Sequence, residues 1–407
     1  MLVKAFPMPA AAPLFLLLMV YFAVASSLDN GKEMRRVFLD DEFSISVNAR
    51  CLDGTRPAYY IRKSTSSAEA SKFVVYFQGG GWCYTLQDCK RRATGPLGSS
   101  SSYPRTLASK GGIVDPNPAR NPNFHGWNLV WVPYCDGTSW SGNQLFPVRD
   151  DNATLTWYRG RANMRALVAA LSRDQGMDAA SDVLIDGGSA GGLTTLLHAD
   201  FFRSQLPSIA TRFAAIGDAG WFRPNIALDH KDYTELMTVM YRVANATTNA
   251  DCMARWPGSA CLFAPTVFPF LTSKMFILEG RYDSWQLANI MGFPCATYGQ
   301  RLEQCSKAQN ATLEAYGKAI ASSVREALAS TPHHQHTAGS FVSQCIIHVQ
   351  SAYNENHDVW HGGLNIAGAT PHDTVSAWYF NHSTGPTTRR IQDCGVFGCN
   401  AFCQSFT

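Results

Sequence analysis

The sequence of 407 residues is poor in charge, and this excludes one broad class of function. Charged side chains make up 16% of the chain, and the net charge at pH 7 is only +3. Lysine and arginine are scattered, so the concentrated basic face that nucleic-acid-binding proteins need is missing. Internal repeats and long linkers are missing too, which favours a single domain over residues 26–407.

Long apolar runs are scarce. The one run of note, PLFLLLMVYFAVA at 13–25, follows the positive charge of Lys4 and ends in small residues that suit signal peptidase. It is too short for a comfortable transmembrane helix. We therefore predict a signal peptide over residues 1–25, with an uncleaved signal anchor as the alternative. No later stretch approaches the ~18 apolar residues of a membrane span, so no stable membrane insertion is expected after cleavage.

The sequence has no CxxC pair, although it contains twelve cysteines. This spacing argues against a zinc-binding module, and an even number of cysteines in an exported chain predicts disulfides. Three pairs are close enough in sequence to close short loops, namely Cys83/Cys89, Cys252/Cys261 and Cys295/Cys305. Spacing leaves the connectivity open, and the Cys-rich tail after residue 383 is expected to be stapled.

Four N-glycosylation sequons fit an exported protein, at Asn152, Asn245, Asn310 and Asn381. Together with the signal segment and the cysteines, they predict a glycoprotein that is secreted to the extracellular space or the cell wall.

Apolar strand patterns alternate with helical patterns along the chain. The strand patterns span residues 72–78, 128–134, 182–187, 212–217, 274–280 and 340–349, and the helical patterns span 162–172, 191–206 and 311–330. Several strand patterns are continuously apolar, as in strands buried on both faces. The alternation predicts an α/β fold with a mostly parallel central sheet flanked by helices.

Ser189 lies in the stretch LIDGGSAGG, which matches the pattern G-x-S-x-G. The pattern follows a predicted buried strand and opens a predicted helix, and this context is required of a nucleophile elbow. The alternative is a glycine-rich turn with a capping serine. The context favours Ser189 as a catalytic nucleophile.

A serine nucleophile needs an acid and a base, which in this architecture follow it in the order Asp or Glu, then His. Asp218 follows the first strand after the serine, and Asp283 follows the second. The usual layout favours Asp283 as the acid and leaves Asp218 as a loop residue that accepts backbone hydrogen bonds.

His348 comes after the last strand pattern, where the base is expected. His333, His334 and His336 lie in a polar stretch and are expected to be exposed. His357 and His361 form HDVWH, a relative of the zinc motif HExxH. Two glycines follow at once, and an aspartate replaces the glutamate, so we expect neither a metal nor an organic cofactor.

The oxyanion of an ester-hydrolysis intermediate needs hydrogen-bond donors. The segment FQGGGWC ends a predicted strand with three glycines, like the loops whose amides form an oxyanion hole. The candidate donors are the amides of Gly80, Gly81, Trp82 and Ala190, although a merely flexible loop is the alternative.

Six segments in order carry a specific resemblance: GGGWCYTLQDC, YCDGTSWSG, GGSAGG, GDAGWF, YDSWQ and SQCIIH. Together they resemble the pectin acetylesterase/Notum family of secreted carboxylesterases, from about residue 51 to residue 380. The resemblance implies an α/β-hydrolase-like fold stapled by disulfides, a triad of Ser189, Asp283 and His348, and oxyanion donors at Gly81, Trp82 and Ala190. It also implies the disulfides Cys51–Cys135 and Cys83–Cys89. The chain departs from the family at Gln78 and in the segment NENHDVWHGG.

The expected activity is hydrolysis of acetyl esters on a cell-wall polysaccharide such as pectin, with acetylated polysaccharide as the partner molecule. The alternative within the family is removal of a palmitoleoyl group from a secreted signalling protein. Two functions of a different kind also stay open. One is a silent lectin-like protein on the same fold, which would lack part of the triad, and the second is a zinc hydrolase that uses His357 and His361.

Overall fold

A central sheet of ten strands forms the core of the structure, a computed structural model that describes residues 33–206, 212–224, 233–293, 295, 305–353, 359–381, 385–393 and 400–404. Its strands are β1 (Glu33–Phe38), β2 (Ala58–Arg62), β3 (Lys72–Phe77), β4 (Thr106–Ala108), β5 (Asn128–Val132), β8 (Asp182–Gly187), β9 (Arg212–Asp218), β10 (Lys274–Asp283), β11 (Gly339–Ile347) and β12 (Arg389–Ile391). The two short strands β6 (Val148–Arg149) and β7 (Leu155–Thr156) form a separate hairpin.

The helices that are described are α1 (Glu42–Ser46), α2 (Leu86–Arg92), α3 (Gly160–Gln175), α4 (Ala190–Ser204), α5 (Tyr233–Ala244), α6 (Ala250–Arg255), α7 (Ala264–Val267), α8 (Ser284–Asn289), α9 (Lys307–Ala329), α10 (Pro332–Thr337), α11 (Pro371–Asn381) and α12 (Ala401–Gln404). The longest, α9, begins at a capping box in which the side chains of Ser306 and Gln309 each accept a hydrogen bond from the other residue's backbone. Among the described residues, no helix is both long and apolar enough to span a membrane.

The strand order across the large sheet is β12-β11-β10-β9-β8-β3-β5-β2-β1-β4. The strands from β12 to β5 run parallel, and β2, β1 and β4 add an antiparallel edge. The predicted α/β-hydrolase-like fold with a mostly parallel sheet is therefore confirmed. The antiparallel edge was not predicted from the sequence.

Both faces of the sheet are covered. In β3, Phe73 and Val75 belong to one buried cluster, and Val74 and Tyr76 belong to another on the opposite face. Because successive side chains of a strand point to opposite faces, a strand buried on both sides must be apolar throughout. This explains why the central strands read as continuous apolar runs.

Five disulfides cross-link the described residues: Cys51–Cys135, Cys83–Cys89, Cys252–Cys261, Cys295–Cys305 and Cys345–Cys403. The first two are the pairs that the family resemblance implies. The last ties the C-terminal tail to β11. Cys394, Cys399 and the predicted signal segment 1–25 lie outside the described residues.

Candidate active site

Ser189 lies in the tight turn between β8 and α4. Its backbone is at φ 61° and ψ −125°, a region that residues with a side chain rarely adopt. The turn is possible because Gly191 lacks a Cβ, which would overlap the carbonyl of Phe77 in the neighbouring strand. The strained turn holds Ser189 at the carboxyl end of the sheet, where α/β enzymes bind their ligands. This is the strand–turn–helix geometry of a nucleophile elbow.

His348 and Asp283 lie side by side at the ends of neighbouring strands. The register of β10 and β11 pairs Asp283 with Ile347, so His348 follows directly beside it. His348 Nδ1 is 2.6 Å from Asp283 Oδ2, and Asp283 Oδ1 accepts a hydrogen bond of 2.7 Å from the amide of Gln286. The fully buried carboxylate thus contacts Nδ1 of the ring and not Nε2.

Asp218, the competing acid in the sequence, has a different set of partners. Its Oδ2 accepts hydrogen bonds from the amide of Gln350 at 2.7 Å and from the amide and hydroxyl of Ser351 at 2.6 and 2.7 Å. Its backbone oxygen accepts a hydrogen bond of 2.8 Å from the amide of Ser189. Asp218 therefore joins the elbow to the segment that follows His348, and it is Asp283 that contacts the histidine.

The triglycine loop, residues 79–81, packs directly against the tight turn at Ser189, which we call the elbow. A Cβ on Gly79 would lie 2.7 Å from Ser189 Cβ, so only glycine allows this approach. The loop continues through Gly80 at φ 152° and Gly81 at φ 65°. Within the described part of the chain, the amides of Gly80, Gly81, Trp82 and Ala190 donate to no backbone acceptor. These four amides are the donors that the sequence analysis proposed for the oxyanion hole.

Arg92, on α2, fixes the orientation of this loop. Its Nη2 donates hydrogen bonds to the carbonyl oxygens of Gly80 at 2.5 Å and Trp82 at 3.3 Å. The disulfide Cys83–Cys89 holds the end of the loop against the same helix. By binding the carbonyls on one side, Arg92 constrains the direction of the amides between them.

Ser139 connects the loop to the nucleophile helix. The indole nitrogen of Trp82 donates to Ser139 Oγ at 2.8 Å, and this hydroxyl donates to the carbonyl of Ala190 at 2.8 Å. Neither role was predicted from the sequence, although Ser139 lies in YCDGTSWSG, one of the segments that carry the family resemblance.

Asp186 is a buried acid in β8, three residues before Ser189. Its Oδ1 accepts a hydrogen bond of 2.6 Å from the amide of Gly187. Burial raises the pKa of Asp186 well above its usual value, and repulsion from Asp218 adds to this effect. The three hydrogen bonds to Asp218 favour its charged form, so we place the proton of the pair on Asp186. The only sequence signal was an aspartate inside an apolar strand.

Aromatic rings pack beside the site. The ring of Trp285 lies 6.2 Å from that of His348 at an interplanar angle of 25°. Trp82 contacts both Trp285 and Phe222, with ring centroids 5.6 and 4.8 Å away, and also Tyr233 at 5.8 Å. Three buried rings and the half-buried ring of Trp285 thus form an aromatic cluster next to the triglycine loop.

The other candidate histidines are placed differently from one another. His333 and His336 are exposed on α10. The expectation of exposure was wrong for His334, which is fully buried with Nε2 2.9 Å from the carbonyl of Phe268. It is buried because the polar stretch forms a short helix that packs against β10 and α9. His361 lies in a turn, and His357 is outside the described residues.

Three of the four sequon asparagines, Asn152, Asn245 and Asn310, are exposed, while the side chain of Asn381 is outside the described part. Exposure is compatible with glycosylation, which stays a prediction.

The sequence model of the family Pectinacetylesterase matches residues 29–404. The chain belongs to the pectin acetylesterase family. It is therefore a carboxylic ester hydrolase, as the sequence predicted.

Members of the pectin acetylesterase family from Arabidopsis thaliana align over most of the chain. Pectin acetylesterase 5 is 28% identical over 372 residues, covering 87% of this chain and 82% of that protein. Pectin acetylesterase 4 is 29% identical over 372 residues, covering 87% and 85%. The palmitoleoyl-protein carboxylesterase NOTUM of Drosophila melanogaster is 27% identical over 284 residues, covering 66% of this chain and 40% of that protein.

Among solved structures, the Wnt deacylase Notum from Drosophila matches with a TM-score of 0.76 at 22% sequence identity. The match covers 91% of this chain and 99% of that one. At 22% identity, this match shows that the two proteins share a fold.

Proposed function

We propose that this protein is a secreted serine esterase that removes acetyl groups from a cell-wall polysaccharide such as pectin. The observation that supports it most is the contact of 2.6 Å between His348 Nδ1 and Asp283 Oδ2, at the same edge of the sheet as the strained turn at Ser189. The names of the Arabidopsis relatives support the substrate class.

In the proposed reaction, Ser189 Oγ attacks the ester carbonyl while Nε2 of His348 accepts its proton. Asp283 holds the imidazole in the required tautomer and stabilises its charged form. The protonated histidine then donates to the leaving sugar hydroxyl, and an acetyl-serine remains. Water, activated by the neutral histidine, releases acetate and restores the serine.

The amides of Gly80, Gly81, Trp82 and Ala190 are the proposed donors to the oxyanion. Loss of one such donor typically costs about 3–4 kcal/mol of transition-state stabilisation. The hydrogen bonds from Arg92 and Ser139 support this role, because they hold the donors in place before substrate binds.

A small acyl group is favoured by the aromatic cluster of Trp82, Phe222, Tyr233 and Trp285. A pocket selects its ligand by shape, and these four rings contact one another with centroids 4.8–6.4 Å apart, so a long chain does not fit between two rings in contact. This is the reason for preferring acetyl over a palmitoleoyl group.

Export to an oxidising compartment is also part of the proposal. Five disulfides among the described residues support it, because disulfides persist in extracellular proteins and are rare in the cytosol.

The proposed substrate class is tested by acyl length. Hydrolysis of p-nitrophenyl esters from two to sixteen carbons is measured alongside acetate release from acetylated pectin. We expect release of acetate from pectin and kcat/KM that falls steeply by eight carbons. A preference for eight carbons or more, without acetate release, would instead favour the lipid deacylase.

A further inference from the structure

Three side chains of types that can bind metals meet at the start of α11, and none of them belongs to the proposed triad. They are His361, in the turn before the helix, and His372 and Asp373 in its first turn. One potential ligand atom from each lies within 4.8 Å of the others. Asp373 Oδ1 is 3.3 Å from His372 Nδ1 and 3.8 Å from His361 Nδ1.

The carboxylate of Asp373 is held with one oxygen directed at the two histidines. Its Oδ2 accepts a hydrogen bond of 3.1 Å from the amide of Thr370, and its own amide donates to Thr370 Oγ1 at 3.1 Å. These bonds form the helix cap and leave Oδ1 on the histidine side. Outer contacts of this kind orient metal ligands in proteins.

His372 is almost fully enclosed, at 2% exposure, with Trp360 and Phe124 in edge contact with its ring. Its backbone amide donates to the carbonyl of Trp360 at 2.9 Å, so the turn that carries His361 is fastened to the helix start.

We propose that His361, His372 and Asp373 bind a divalent transition metal, and that zinc fits the site best. Zinc takes imidazole nitrogen and carboxylate oxygen at about 2.0–2.2 Å in tetrahedral geometry, which separates the ligand atoms by roughly 3.3–3.5 Å. The contact of 3.3 Å between Asp373 and His372 already meets this spacing. A small rotation of the partly exposed His361 ring brings in the third ligand, and water completes the tetrahedron.

A metal at this site would link the turn that carries His361 to the start of α11, and none of its ligands takes part in the proposed reaction. His348 begins the connection between β11 and α11, and the metal would join the far part of this connection to the helix that follows. Metal binding should therefore stabilise the folded protein, since a ligand that binds only the folded state raises its stability. From the sequence we expected no metal at the HDVWH motif, which would pair His361 with His357, and sequence spacing gave no reason to consider His372 or Asp373.

The test uses the full mature protein after removal of metal with dipicolinate. Cobalt(II) is titrated in, with its visible absorption as the probe, and zinc is then added as competitor. We expect one cobalt per chain, displacement by zinc, and a higher midpoint of thermal unfolding with zinc than without it.

Two variants locate the site. His361→Ala removes a partly exposed ligand, and Asp373→Asn removes the charge but keeps a capping oxygen; we expect each to weaken cobalt binding roughly tenfold or more. His336→Ala, at an exposed histidine of α10, is the matched control and should bind as the wild type does. Ester hydrolysis by each variant shows that it is folded. No cobalt band in the wild type, or unchanged binding in folded His361→Ala, would overturn the proposal, and neither result bears on the esterase.

Discussion

The carboxylate of Asp218 accepts hydrogen bonds from both the amide and the hydroxyl of Ser351, at 2.6 and 2.7 Å. The backbone oxygen of the same aspartate holds the amide of Ser189 at 2.8 Å. One residue thus joins the elbow of the proposed nucleophile to the segment that follows the proposed base. The separation between Ser189 and His348 should depend on it.

Replacement of Asp218 tests this role. Asp218→Asn removes the charge that receives three hydrogen bonds, each worth about 1.5–3 kcal/mol when made to a charged group. We expect kcat for p-nitrophenyl acetate to fall about ten- to a hundredfold with little change in KM, and the unfolding midpoint to fall. Ser351→Ala, which removes one of the three bonds, should have a smaller effect in the same direction. Wild-type kcat in Asp218→Asn would contradict the role.

The neighbouring acid, Asp186, predicts a pH dependence of stability. Burial raises its pKa in the folded protein well above the unfolded value of about 3.9. The folded protein then keeps a proton that the unfolded chain has released, so this group makes the free energy of unfolding fall as the pH rises above about 4. Asp186→Asn removes the ionisable group, so this contribution to the pH dependence of the free energy of unfolding disappears.

We therefore expect the unfolding midpoint of the wild type to fall relative to that of Asp186→Asn as the pH is raised from 4 to 7. Thermal unfolding at several pH values measures the difference. A difference that stays constant over this range would mean that Asp186 is ionised in the folded protein.

A side chain at position 79 is expected to displace the elbow. A Cβ at this position would lie 2.7 Å from Ser189 Cβ and closer still to the carbonyl oxygen of Gly188, so the turn or the loop must move. We expect Gly79→Ala to lose most of its esterase activity and to unfold at a lower temperature. Gly95→Ala is the control, because its Cβ would have a single contact, at 3.9 Å. Similar activity in the two variants would contradict the packing of the loop against the elbow.

Arg92 predicts an effect on the rate of the chemical step. Lysine keeps the charge but has a different donor geometry, so Arg92→Lys should lose the paired hydrogen bonds to Gly80 and Trp82. Because removal of one oxyanion donor costs about a hundred- to a thousandfold in kcat, we expect misorientation to cost about ten- to a hundredfold. The control is Arg91→Lys on the same helix, whose side chain is exposed and pairs with Asp88. An effect on KM alone would indicate substrate binding instead.

Much of the fold was predictable because the central strands are buried on both faces. The runs at 182–187 and 274–280 correspond closely to β8 and β10, and the predicted helix at 191–206 corresponds to α4. The antiparallel edge was missed because β4 has only three residues and β1 is partly exposed, so neither has a continuous apolar run or a clear alternation. Strand pairing at such an edge is set by tertiary packing.

The contact between His348 and Asp283 was predictable from chain order, because neighbouring parallel strands bring their ends together. The roles of Arg92 and Asp186 were not predictable, since each depends on an approach between distant segments. The local sequence shows only an arginine in a basic stretch and an acid in an apolar strand. The contact of Arg92 with Gly80 exists only after the loop has packed against the elbow.

The most direct test of the proposed triad is acetate release from acetylated pectin by the wild type and by Ser189→Ala. We expect a fall of roughly a thousandfold or more in the variant, because a serine nucleophile and its base act as a unit. Ser204→Ala, at the exposed end of α4, the helix that follows Ser189, should keep wild-type activity. If folded Ser189→Ala released acetate as fast as the wild type, Ser189 would be a turn residue and the proposed triad would be wrong.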